Sequence, residues 1–345
     1  MASRFRTFAK ETKRLVRKLL GYEPKNLLRS ATEEDVYFCY RLFLKREPDA
    51  EGLSGWTKLL GERSVPLRDL VAMFMKTLEY EYSNTKLVRL PEFQICVRPS
   101  DGTVSTAILN DRNYEPYLMA EMTPLLKPGM VVVDVGANIG YQTLMAARHV
   151  GPTGRVLAFE PNPDNTILLK ESIRRNGFTN IELFPFGVAD RSRTIEMLPD
   201  GQNSTSLVRD PETDGTKRTT PLPPKLSRCH VLQAVALDEF LGDRERIDLI
   251  KIDIDGGEPR ALQGMEKIIQ RHRPVMFVEY CPQCIRVVCK VAPETMLDFF
   301  FDRDYDLYDL NRATGKSSKP MNKEELTAAY VRSGITHLDL MACPR

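Results

Sequence analysis

Long apolar runs are missing from this chain. Nowhere in its 345 residues do 18 apolar residues follow one another, so no membrane-spanning helix is expected. A surplus of charge is missing too. The 49 Lys and Arg against 47 Asp and Glu leave a net +2, which gives no whole-molecule attraction to nucleic acid. The N-terminal stretch lacks the apolar core of a signal peptide, which argues against secretion and for a cytoplasmic protein. The seven cysteines are an odd number and scattered, so reduced thiols are expected. Only Cys281, Cys284 and Cys289, in CPQCIRVVC, form a cluster. A zinc site would need a fourth ligand and a second pair that this stretch lacks, so free thiols are the reading there. The single tryptophan, Trp56, is expected in a core, and none of the four histidines sits in a recognisable base position.

What is present describes a globular protein. Apolar residues make up 42% and charged residues 28%, and the length favours two units. Residues 1–30 form a basic arm. Its first 21 residues hold seven Lys or Arg against one Glu, with Phe5, Phe8, Leu15, Val16, Leu19 and Leu20 at helical spacing. Such a helix can lie on an anionic membrane surface, giving a membrane-peripheral protein, or pack its stripe on the protein itself.

Residues 31–90 read as a small helical domain. Thr32 caps a first helix whose opening turn is acidic, Pro48 breaks the pattern, Asp49 caps a second helix, and VPLRDLVAMFMKTLEYEYS supplies a third. The stretch KREPDAEGLSGWTKLL resembles a small bacterial helical domain of unassigned role, found in surface-associated proteins and beside sugar-modifying enzymes. Arg46, Pro48, Asp49, Gly52, Leu53 and Trp56 carry that resemblance over about fifty residues.

Residues 91–345 form the larger domain. Residues 92–110 read as short strands turning at Ser100-Asp101-Gly102. From 115 onward VVVDVG, RVLAFE, IELFPFG, DLIKID and PVMFVE alternate with helical patterns. That alternation predicts an α/β fold around a mainly parallel sheet, which YDLYDL and THLDLMAC complete at one edge. Residues 198–230, with five prolines and little apolar content, read as a long loop, either a lid or disordered.

The stretch VVVDVGANIG (131–140) carries the chemistry. Its glycines allow a tight strand-to-helix turn and close approach of a ligand to the helix N-terminus. A nicotinamide dinucleotide calls for G-x-G-x-x-G, whereas here Asp134 precedes Gly136 in D-x-G-x-x-x-G; a P-loop is excluded because no G-K-S/T follows. Asp134 would repel a pyrophosphate but accept bonds from an ammonium group. Twenty residues past Gly140, Glu160 ends RVLAFE at the tip of the second strand, where a carboxylate suits two ribose hydroxyls. An adenosine ribose with a cationic, phosphate-free remainder is the composition of S-adenosylmethionine.

VVVDVGANIGYQTLMAARHVGPTGRVLAFEPNPDN and IDLIKIDIDGGEPRALQGMEKIIQRHRPVMFVEY together resemble the two signatures of the FkbM methyltransferases, over roughly residues 112–343. The resemblance implies a Rossmann-like class I methyltransferase with a mostly parallel seven-stranded sheet, here preceded by the small all-α domain. It implies O-methylation of hydroxyls on sugars, glycans or polyketides. By the resemblance Asp134, Gly136, Ala137, Asn138 and Gly140 surround the methionine part, Glu160 takes the ribose, and Asn162 and Asp190 approach the adenine.

KIDIDGGE is the second constellation. Asp253 ends a strand beside the first, so it is expected to face the transferable methyl and to orient and deprotonate a hydroxyl. Asp253, Asp255 and Glu258 can alternatively hold a Mg²⁺. Asp255 and Glu258 also fit a helix cap, with Pro259 in the first turn. The family shows Asp-x-Glu-Gly-His-Glu here; in this chain Asp255 stands for the Glu and Gly257 for the His. Lys251 is expected on the same face as Asp253 by period-two alternation, and Glu279 is a further candidate for the acceptor pocket.

The reading is an S-adenosylmethionine-dependent O-methyltransferase of glycan modification or polysaccharide biosynthesis, acting on a sugar hydroxyl. Polyketide, lipid or protein acceptors are alternatives, as is a catalytically degenerate glycan-binding scaffold. Nucleic-acid amines are disfavoured because KIDIDG replaces the N/D-P-P-Y loop. Oligomeric state and acceptor identity are not legible.

Overall fold

The computed structural model describes residues 29–44, 46–74, 77, 85–99, 101, 103–199, 206–209, 230–243, 246–311, 315–317 and 319–345. They belong to two compact units divided between Thr85 and Lys86. Residues 1–28 of the basic arm, and most of the 198–230 loop, lie outside the described residues. No described helix is long and apolar enough to cross a membrane.

In the first unit Thr32 and Asp35 form a reciprocal capping box on the helix Glu33–Cys39, which widens into a π-helical turn over Tyr40–Leu44. Asp49 caps Ala50–Glu62 by accepting from the Gly52 amide at 2.7 Å. A third helix, Leu67–Phe74, closes a core of Val36, Tyr40, Phe43, Leu70 and Phe74. Trp56 stacks on Phe74 with ring centroids 4.5 Å apart. The motif residues therefore have packing jobs. The Arg46 guanidinium lies 4.9 Å from the centre of the Tyr40 ring and binds Asp49 at 2.9 Å, and a Cβ on Gly52 would meet the Tyr40 hydroxyl.

The second unit is built on one sheet, whose long strands are β1 (Val131–Val135), β2 (Arg155–Phe159), β3 (Ile181–Phe184), β4 (Leu249–Ile252), β5 (Val275–Tyr280), β6 (Tyr305–Asn311) and β7 (Leu338–Pro344). Their order is 3-2-1-4-5-7-6. β1 to β5 run parallel and β7 is antiparallel to both neighbours. The seven expected strands are all present, and the two-residue strand Gly315–Lys316 adds an eighth at the β6 edge. Both faces are covered: Val133, Val135, Ile250 and Ile252 pack into one apolar cluster, and Val132, Val156, Leu249 and Phe277 into the other. Double burial is why these strands read as unbroken apolar runs.

Two expectations are corrected. Residues 92–110 are not a run of strands: Lys86–Arg89 and Gln94–Val97 form a hairpin turning through Leu90–Phe93, and Val104–Asp111 is a helix. Asp101 decides this, because its carboxylate accepts from the amides of Thr103 and Ser105 and so satisfies the start of a helix rather than a strand turn. The 198–230 segment is not all loop either. Ser206–Arg209 pairs antiparallel with Arg193–Pro199 in a four-stranded side sheet, completed by Gly187–Val188 and His230–Val235. Its Ser-Leu-Val-Arg run finds backbone partners there that five nearby prolines hid.

Candidate active site

Register places acidic residues in one row. Val135 pairs with Phe159 and with Ile252, and Ile252 with Val278. The next residue on each strand is therefore Glu160, Gly136, Asp253 and Glu279, and Glu279 pairs across to Asp339 on β7. The amides of Gly136 and Ala137 donate to the Phe159 carbonyl and that of Asp253 to Val135, so the ladder extends into this row. The row lies at the carboxyl ends of the parallel strands, where β1 and β4 mark the switch in strand order.

The glycine turn is shaped by the protein's own packing. Gly136 has φ +81°, and a Cβ there would lie 2.0 Å from the Asp253 carbonyl oxygen; a Cβ on Gly140 would run into Leu169. Ala137 is buried beside it, and Asn138 follows with φ +52°. This turn points the Asn138 amide at Glu160 Oε2 (2.7 Å), while the Asn162 amide donates to Oε1 (2.8 Å). The Glu160 carboxylate is thus oriented by two backbone amides, yet burial pushes its pKa up to about 7. Asn162, expected near an adenine, caps the helix Pro163–Asn176 through its side chain. Asp190 lies outside the row, its carboxylate paired with Arg193.

Lys251 sits beneath the row, 4% exposed. Its Nζ donates to the Gly136 carbonyl at 3.1 Å and lies 3.3 Å from Asp253 and 3.7 Å from Asp134. Burial works against its charge, but Asp253, Asp134 and Glu115 outweigh this and raise its pKa. Lys251 and Asp253 share a side, as alternation required. Asp134 is enclosed at 2% exposure and accepts from the Thr143 hydroxyl at 2.5 Å. Its charge therefore acts through Lys251 and the turn rather than from an open wall.

The turn after β4 settles the capping question. Asp255 has φ +53° and gives no cap; the residue at the cap position before the helix Glu258–Gln263 is Gly257, which has no side chain to cap it. Glu258 reaches back instead, accepting from the Ile254 amide at 2.9 Å, fully buried. Burial, reinforced by Asp253, raises Asp255 to about 7, and burial raises Glu258 to about 8. Glu258 is turned into its own loop, and among the described residues no three Asp, Glu, His or Cys side chains gather as a metal group. The Mg²⁺ arrangement of Asp253, Asp255 and Glu258 is not formed, so no step is derived through a metal. The thiol expectation is corrected as well: Cys281 and Cys284 are joined in a disulfide, while Cys289 is free and donates to the Gly256 carbonyl at 3.0 Å. C-x-x-C at the start of the helix Pro282–Val288 brings the two sulfurs together, and a Cβ on Gly256 would strike the Cys284 backbone.

Several site residues escaped the sequence reading. Tyr114, Glu115 and Tyr117 come from the segment entering the helix Pro116–Met122. Glu115, at φ +46°, accepts from Gln142 at 2.8 Å, and the Tyr117 hydroxyl donates to Asp339 at 2.9 Å. Burial, then Glu115 and Asp253, push the Tyr114 phenol well above its ordinary pKa. His337 Nδ1 lies 3.2 Å from Glu279 Oε1, and its Nε2 lies 3.8 Å from Asp339. The place of His337 at the head of THLDLMAC was the available signal: an antiparallel last strand begins where the parallel strands end.

The raised carboxyls predict a pH dependence. A folded state that holds protons to about 7 or 8, against 3.8 or 4.5 when unfolded, is stabilised below the unfolded values, and this is lost as pH rises through the folded ones. The ligand-free protein should therefore melt several degrees higher at pH 5.5 than at pH 8.5. A flat or opposite trend by calorimetry would remove the crowded-carboxyl account.

The model of the Methyltransferase FkbM domain matches residues 134–307. Over 145 residues, 39% of this chain and 58% of the relative, the chain is 26% identical to "Methyltransferase 1" of Beauveria bassiana. It is 29% identical to "Hexuronic acid methyltransferase AglP" of Haloferax volcanii, over 41% of this chain and 52% of that protein. The chain thus spans about half the length of these curated relatives. A solved structure of Methyltransferase FkbM from Methylobacillus flagellatus covers 88% of this chain and is covered over 58% of its own length, at 14% identity and TM-score 0.39. With residues 134–307 matched, half of the 345, the chain belongs to the FkbM family of S-adenosylmethionine-dependent methyltransferases.

Proposed function

We propose that this protein methylates a hydroxyl of a sugar within a glycan, using S-adenosylmethionine. The observation that carries the reading is the row of carboxylates at the strand ends beside the glycine turn, buried at Glu160 and a third exposed at Asp253. Asp134, Glu160, Asp253 and Asp255 gather acidic groups around one buried lysine, and a sulfonium and an ammonium would complement them. Glu160, oriented by two amides and the Asn165 side chain, retains acceptor capacity for a ribose hydroxyl. Asn138 and the Gly136 turn border the methionine part.

When bound, the cofactor supplies an electrophilic methyl on sulfur. Asp253 would orient the acceptor hydroxyl and take its proton as that oxygen accepts the methyl group. Lys251 holds Asp253 in place from below. A sugar acceptor is supported by the relative named for hexuronic acid. A neutral hydroxyl, rather than an acid, suits a site whose walls are acidic.

S-adenosylhomocysteine should raise the melting temperature, with stabilisation of about 2.7 kcal/mol at a hundred times its Kd. Glu160→Ala should weaken this binding far more than Asp253→Ala. Equal losses would remove the ribose assignment.

A further inference from the structure

Glu279 is the one member of the acidic row with a buried oxygen left over. Oε1 faces His337, whereas Oε2 is buried and has no hydrogen-bond partner. An unpaired buried oxygen of this kind costs stability unless a ligand completes it. It is neither a strand cap nor part of the nucleotide turn. Burial, then the charges of Asp253, Glu258, Asp255 and Asp339, hold its carboxyl well above the ordinary range. Ionised, Oε2 accepts a hydrogen bond; protonated, it donates one. Either form can meet a hydroxyl.

Its position beside Asp253 gives the hydroxyl an address. Asp253 and Glu279 are the next residues after the parallel pair Ile252 and Val278. Neighbouring strands lie about 4.8 Å apart, close to the spacing at which two carboxyls can grip adjacent hydroxyls of one ring. Behind Glu279, His337 and Asp339 fix it from the antiparallel strand, and Tyr117 ties Asp339 to the helix Pro116–Met122. We infer that Glu279, oriented by His337, binds the hydroxyl next to the one methylated, so that the acceptor is a vicinal diol of a neutral sugar.

This rests on the methyltransferase reading, and Glu279 acts as a positioning residue. The test uses the full chain, S-adenosylmethionine labelled in its methyl, and methyl glycosides of mannose, glucose, galactose, rhamnose and fucose. Each is paired with its monodeoxy counterparts, and methyl glucuronoside serves as the anionic probe. The wild type should favour at least one diol over its monodeoxy counterpart by about tenfold or more in kcat/KM, and should disfavour the glucuronoside. Glu279→Leu should raise KM for that diol about tenfold with kcat little changed, and bring the diol and deoxy rates within about twofold. Glu279→Gln, which keeps hydrogen-bonding groups, should retain most of the preference. The S-adenosylhomocysteine melting shift should persist in both variants, showing that they fold. A panel in which no glycoside is methylated, or an unchanged diol preference in Glu279→Leu, overturns the inference while that shift leaves the cofactor reading standing. Loss of the shift in the wild type sinks the cofactor reading instead.

Discussion

Asp253→Asn is expected to slow methyl transfer by roughly two to four orders of magnitude with cofactor affinity nearly unchanged. The amide keeps the size and part of the hydrogen bonding of the carboxylate but cannot take a proton. Its placement argues for the effect: the Asp253 amide is tied to Val135, and its side chain is held 3.3 Å from Lys251. The lysine keeps Asp134 as a partner in the variant, so the fold should survive. Single-turnover rates with labelled cofactor, alongside binding of S-adenosylhomocysteine, measure both sides of the claim. A variant of normal rate would eliminate Asp253 as the base. Wild-type protein that binds cofactor tightly but methylates nothing would favour a glycan-binding scaffold.

Lys251→Met should produce the largest loss of stability, about 3–5 kcal/mol. Methionine fills much the same volume, so the loss comes from charge. Removing the ammonium leaves Asp134 enclosed with Oδ1 lacking any hydrogen bond, and leaves the Gly136 carbonyl without its donor. Asp134→Asn in the same background should recover part of the loss, because a buried amide costs less than an uncompensated carboxylate. The sign with pH is fixed by the raised lysine pKa: its stabilisation is present below the ordinary 10.5 and fades only as pH climbs past it. The deficit of the variant relative to wild type should therefore stay nearly constant between pH 6 and 9 on the lysine's account. Denaturant unfolding gives the measurement. A loss under about 1 kcal/mol would mean that water already reaches and screens the Asp134 charge.

Much of the site was legible because its residues end strands. Glu160, Asp253 and Glu279 each close an apolar run, and in a parallel sheet such ends lie at one end of the sheet, with Asp134 one period of alternation beneath them. Asp255 was less so. In D-x-x-E spacing it reads as a cap, but φ of +53° turns it out of the helix and leaves Glu258 to bind the turn. Tyr117 was invisible as a site residue, since it meets the row only through a partner far away in sequence. Tyr117 reaches Asp339 across 222 positions. The cysteine pair misled for a different reason: composition speaks to compartment, whereas proximity of two sulfurs is a matter of local helix geometry.

From sequence alone came the strand and helix alternation, the glycine turn and the acids at the strand tips. All of these depend on local periodicity and on residues that few conformations tolerate. Only the tertiary structure decided which acids stand side by side, because register, not spacing along the chain, aligns Glu160, Asp253, Glu279 and Asp339. It also decided that Lys251 is buried between two carboxylates and that Gly136 yields its side-chain space to the Asp253 backbone. Long-range pairing brings these groups within a few ångströms, and burial there raises the carboxyls of Glu160 and Glu279 above their ordinary range.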